Sequence, residues 1–109
     1  MKRLLTILLA LTAIINCKAD KTEAPVINND TFWKTTSGNY IYSQGGGIFR
    51  FPDEQGVEHY YWYGVKYQEA VDYCPNALAG SKSNITNFLS VTCYQSDDLV
   101  NWTFVNDVL

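Results

Sequence analysis

The chain has 109 residues and little charge: 17% are Asp, Glu, Lys or Arg, and the formal net charge is −3. After Lys2 and Arg3 no basic cluster occurs, so the electrostatic footprint of a nucleic-acid binder is missing. His59 is the single histidine, and nowhere do His, Cys, Asp and Glu fall at metal-ligand spacing. No metal and no cofactor are expected. The run Gly45-Gly46-Gly47 lacks the GxGxxG spacing that cradles a phosphate. No segment repeats another, which excludes a chain built from internal copies. Beyond residue 16 there is no long apolar run.

The one such run lies at the start. Lys2 and Arg3 precede an apolar stretch from Leu4 to Ile15, too short for a permanent membrane span and well suited to a secretory signal over residues 1–16. It ends at Cys17, in "LTAIINCKADKTE", which resembles a bacterial lipoprotein signal. In such signals the cysteine is lipidated and becomes the new N-terminus. The charged residues Lys18, Asp20, Lys21 and Glu23 resemble the export tether of Bacteroidetes lipoproteins. The expectation is a secreted protein held at the outer membrane or cell surface of a Gram-negative bacterium through a lipid on Cys17. Residues 17–30 read as tether and linker. With Cys17 used as the anchor, Cys74 and Cys93 remain, and composition leaves a disulfide or two buried thiols open.

Aromatic residues make up 15% of the chain and crowd between Tyr40 and Tyr73, too many for a disordered segment. Four short strands are expected: Gly47–Phe51, Glu58–Tyr63, Phe88–Gln95 and one beginning at Trp102. "PDEQG" (Pro52–Gly56) and "SDDLVN" are turns, and Val65–Asn87 is a long connection. On the third strand, Leu89, Val91 and Cys93 share one face, while Phe88, Ser90, Thr92 and Tyr94 share the other. The fold class is all-β: a four-stranded antiparallel meander, the unit of a β-propeller blade.

The residues "GGGIFRF", "HYYWYG" and "VTCYQSDDLVNWTFVNDVL" together resemble the first blade of family 43 glycoside hydrolases, in the branch that includes exo-β-1,3-galactanases. The resemblance covers residues 31–109, read as part of a five-bladed propeller. It implies an N-terminal piece of a secreted hydrolase acting by inversion on galactose- or arabinose-containing polysaccharide. The inner strand of a blade lines the sugar channel, so Gln44, Gly45, Gly46 and Tyr63 are the candidate substrate-binding residues. Glycines there would let a sugar ring approach the backbone, and aromatic faces would shield it. Relatives often carry a histidine where this chain has Gln44 and a glutamate where it has Val65.

The family's base aspartate is absent from Gln44–Gly47, as in the galactanase branch, and its other acidic residues come from later blades. The chain is therefore expected to hold no catalytic residue and to be inactive alone. Asp97 and Asp98 read as turn formers, His59 as a surface residue, and Glu69 and Asp72 as solvated loop residues. Trp102 reads as the packing residue that closes the blade. The alternative role is a small surface lipoprotein that binds carbohydrate without cleaving it. The partners expected are a polysaccharide or oligosaccharide, the membrane through Cys17, and the remainder of a propeller.

Overall fold

A computed structural model describes residues 22–76 and 86–109. Four strands form one antiparallel sheet in the order of the chain: β1 (Gln44–Pro52), β2 (Glu58–Tyr67), β3 (Phe88–Ser96) and β4 (Thr103–Asp107). This is the all-β meander that the alternation of aromatic and turn residues predicts. A short helix, α1 (Gln68–Tyr73), and a 3-10 turn (Cys74–Asn76) follow β2, inside the stretch read from sequence as a plain connection. β2 also runs four residues past its expected end, because Val65, Lys66 and Tyr67 still find partners in Val91, Ser90 and Phe88.

The first turn forms for a local reason. The Asp53 carboxylate accepts the N–H groups of Gln55 (2.9 Å) and Val57 (2.8 Å), and Gly56 takes the left-handed conformation the turn requires, with φ of 83°. The second turn is built the same way. Asp98 accepts from the backbone N–H groups of Val100 (2.9 Å) and Asn101 (2.7 Å), and Ser96 Oγ accepts from Leu99 N–H (3.0 Å). These bonds hold Leu99 at φ of 65°, a conformation a branched side chain tolerates only when its surroundings impose it. Leu99 in return accepts the Trp102 indole N–H (3.2 Å). Asp98 is thus the turn former expected. Trp102, 1% exposed, is the packing residue expected.

The two faces of the sheet differ. Cross-strand register places Ile48, Tyr60, Trp62, Thr92 and Tyr94 on one face and Phe49, Phe51, Tyr61, Tyr63 and Cys93 on the other. An arm formed by residues 31–43 covers the first. It bends at Gly38, pairs Lys34 with Tyr40, and donates Thr36 N–H to the Trp102 carbonyl (2.9 Å). It then crosses β3, where Tyr42 N–H donates to the Tyr94 hydroxyl (3.0 Å). The Thr92 hydroxyl, fully buried, shares its proton between the carbonyls of Tyr42 and Gly64. Trp33, Trp62 and Trp102 meet edge to face between arm and sheet, with centroids 5.8 and 5.3 Å apart. The second face carries a row of aromatics in contact, Phe49 with Phe51 and Tyr63, and Phe51 with Tyr61. Phe49 and Phe51 remain about half exposed.

Candidate functional site

β1 begins where the arm leaves the sheet face. Gln44 pairs with Val65, the register then slips through a bulge, and pairing resumes at Gly47 opposite Tyr63. Gly45 sits in the bulge at φ of 63°, with open space where a side chain would be. Gly46 is a different case: a Cβ there would lie 1.6 Å from the Tyr63 carbonyl oxygen. Gly64 is likewise pressed on by the arm, since a Cβ would meet Ser43 Oγ at 2.3 Å and Ser43 carbonyl carbon at 2.5 Å. Gly46 and Gly64 are therefore required by the chain's own backbone, and for Gly46 this is a reason other than the approaching sugar expected from sequence. Of the two candidate glycines, Gly45 has open space where a side chain would be and Gly46 does not.

The four candidate substrate residues fall into two groups. Gln44, Gly45 and Gly46 are contiguous and exposed at the strand edge. The Tyr63 backbone lies against Gly46, whereas its ring belongs to the aromatic row beside Phe49, on the face that also carries Cys93. Burial, and next the Cys93 thiol, push the Tyr63 phenol above its ordinary value. Beside Gln44 an open, mainly apolar hollow of about 370 Å³ is lined by Trp33, Tyr42, Trp62, Val65 and Cys74 among others. Ser43, at its margin, has a buried hydroxyl with no hydrogen-bond partner among the described residues. A second hollow of about 330 Å³, between residues 26–34 and Leu99–Val100, lies away from Gln44.

Cys74 and Cys93 stand as free thiols. The disulfide left open by the cysteine count is not formed, because Cys93 pairs with Tyr63 on the aromatic face while Cys74 lies by Tyr42 on the arm side. Burial raises both thiols above the ordinary cysteine value, so neither is poised as a thiolate nucleophile. Cys17, the expected lipidation site, lies outside the described residues, as does the expected signal segment. Among the described residues no helix is long and apolar enough to cross a membrane, and no acidic, cysteine or histidine cluster is fit to hold a metal.

The carboxylates have other occupations. Glu69 on α1 accepts the Asn87 backbone N–H (2.8 Å) and side-chain amide, which fastens the helix to the start of β3. Asp72 accepts from Gln68 (2.9 Å) on the same helix. A general acid needs a carboxyl raised toward neutrality. Here every shifted carboxyl moves down: Glu69 through the Asn87 N–H, Asp53 through the Val57 N–H and His59, and Asp98 through Asn101. None of these three has the environment of a glycosidase acid.

His59 departs from the surface residue expected. Its side chain is 13% exposed, and it lies between Asp53 and Asp97 at the end of the sheet opposite Gln44. Asp97 is therefore more than a turn former. The signal is topological: in a meander, the β1–β2 and β3–β4 turns fall at the same end.

Comparison with known proteins agrees with this geometry. No family model matches the chain, and no curated protein does. Among solved structures it is similar to 1,3Gal43A, an exo-β-1,3-galactanase from Clostridium thermocellum, at 40% identity over 76% of this chain and with a TM-score of 0.51. The chain spans 14% of the length of that protein. In sequence and in fold, the chain resembles one blade of a family 43 glycoside hydrolase.

Proposed function

We propose that this chain serves as one blade of a secreted family 43-type glycoside hydrolase, and that its Gln44–Gly46 edge forms one wall of a saccharide site. The observation that carries the reading is the 40% identity to an exo-β-1,3-galactanase over 76% of this chain. Gln44 supplies a donor and an acceptor for sugar hydroxyls. Gly45 leaves the backbone bare beside it, and Tyr63 fixes the edge through its carbonyl. The substrate class is a galactose- or arabinose-containing polysaccharide, and the lipid on Cys17 holds the protein at the cell surface.

Bond cleavage by inversion needs an acid and a base on either side of the glycosidic oxygen. With Asp53, Glu69 and Asp98 all lowered, the blade binds and positions while hydrolysis depends on carboxylates from other blades. The full chain, mixed with a β-1,3-linked galactose disaccharide, is expected to give a saturable change in tryptophan fluorescence and no release of galactose. Gln44→Ala weakens that binding by roughly tenfold, about one lost hydrogen bond, and leaves the denaturation midpoint in place. Release of galactose by the chain alone overturns the division of labour, and absence of binding overturns the wall. The alternative, a binding lipoprotein with no catalytic partner, predicts the same binding. It is separated by adding the complementary blades of an exo-β-1,3-galactanase, which restore hydrolysis only on the first reading.

A further inference from the structure

His59 engages both of its ring nitrogens. Nε2–H donates to Asp53 Oδ2 (3.1 Å), in the β1–β2 turn, and Nδ1–H donates to Asp97 Oδ1, in the β3–β4 turn. A neutral imidazole carries one N–H and one bare lone pair. With a carboxylate facing each nitrogen, the neutral ring would aim its lone pair at an anionic oxygen. Only the imidazolium satisfies both contacts. We propose that Asp53, His59 and Asp97 form a proton-gated clasp, which ties the two turns together while His59 is protonated and releases one of them when it is not.

The surroundings leave these two carboxylates in control. The Tyr61 ring meets the imidazole edge-on, 6.3 Å between centroids, and Phe51 is its cross-strand partner. Arg50 and Glu58 alternate onto the opposite face and pair with each other at 2.7 Å. Asp98, the next carboxylate in the second turn, is committed to Ser96, Val100 and Asn101. The Asp53 carboxylate has a second anchorage in the N–H groups of its own turn, so it stays in place whatever the state of His59. Asp97 has no other side-chain bond among the described residues and is the arm that lets go.

The hydrogen bond to Asp97, then that to Asp53, raises the His59 pKa above the ordinary histidine value. A raised folded value contributes stability that is complete below the unfolded pKa and lost as pH rises through the folded one. Asp53 is lowered, so its share is present above the ordinary carboxylate value and lost as pH falls through its depressed one. The clasp therefore closes across a band of pH bounded by Asp53 on the acid side and His59 on the alkaline side.

Since His59 is the single histidine, it can be followed without assignment ambiguity in the full chain labelled with nitrogen-15 and titrated from about pH 5 to about pH 9. Both ring nitrogens should report N–H donors at the acid end, with a midpoint above that of a free histidine. Asp97→Asn should bring the midpoint down, as should Asp53→Asn. Glu54→Gln, in the same first turn but without contact to the ring, should leave it in place. A wild-type midpoint at or below the free value overturns the clasp, and so does a midpoint that Asp97→Asn does not move.

Discussion

Gly46→Ala tests whether the glycines of the β1 edge are there for the fold or for a ligand. An alanine Cβ at position 46 would stand 1.6 Å from the Tyr63 carbonyl oxygen, with Tyr63 carbonyl carbon and Gly64 Cα within 2.7 Å. That is about 1.8 Å short of ordinary contact, and every atom it strikes is backbone of the paired strand β2. No rotamer change relieves it. The bulge must open and the first residues of β1 must peel away, so the cost is expected at the top of the usual overpacking range, about 3 kcal/mol. Gly45→Ala is the control. Its site is open and its φ of 63° charges only the left-handed penalty of about 1–2 kcal/mol. Urea denaturation followed by the fluorescence of Trp33, Trp62 and Trp102 reads both, because all three rings sit where the arm meets the sheet. Domains of this size hold only about 5–15 kcal/mol in all, so the Gly46 variant should unfold at a markedly lower urea concentration. If Gly46→Ala is as stable as Gly45→Ala, the close approach is not what requires glycine, and the case for a ligand at position 46 returns.

Two further substitutions probe the second turn and the packing beneath it. Trp102→Ala should cost about 3–5 kcal/mol and leave little folded protein at room temperature, whereas Trp102→Phe, which keeps an aromatic ring against Trp62 but loses the bond to Leu99, should retain a cooperative transition. Asp98 is held well below the ordinary carboxylate range by Asn101 and Val100, so its contribution is present above that range and lost only as pH falls far into acid. The gap in urea midpoint between wild type and Asp98→Ala should therefore persist unchanged through mildly acidic buffers. A gap that closes near the ordinary carboxylate value would refute the assignment.

The parts of the fold that depend on local chemistry were legible in the sequence. Alternation and turn residues located all four strands, and "PDEQG" and "SDDLVN" named the two tight turns. Trp102 and Asp98 took the structural roles expected, whereas Glu69, expected in a solvated loop, lies on α1 and is tied to Asn87. What escaped depends on partners remote in the chain. The six residues of α1 are too few for a helical period to declare itself. Alternation separated Leu89, Val91 and Cys93 from Ser90, Thr92 and Tyr94, but could not say which face would be covered. The more polar set, with Ser90 and Thr92, is buried, because the arm brings carbonyl and N–H groups that suit hydroxyls. The reason for Gly46 and Gly64 lies in atoms of Tyr63 and Ser43, which no inspection of the glycines themselves reveals.

That arrangement bears on how the chemistry of a hydrolase could be divided among blades. At the Gln44 edge the chain spends its close contacts on shape: a bulge, two glycines under backbone, and an arm pinned by Thr92 and Tyr94. Asp53 and Asp98 are spent on turns and Glu69 on the helix anchor, where N–H donors stabilise the charged form and drive the pKa away from the range an acid catalyst needs. Raising a carboxyl requires the reverse environment, an apolar wall with few donors. The face that has such a wall, with Phe49, Phe51, Tyr61 and Tyr63, carries no carboxylate at its centre. A carboxylic acid supplied by another polypeptide segment and laid against that row would be desolvated by the aromatics and raised. On the proposed reading, the Gln44 edge would position a sugar while this aromatic row would tune an acid supplied from elsewhere.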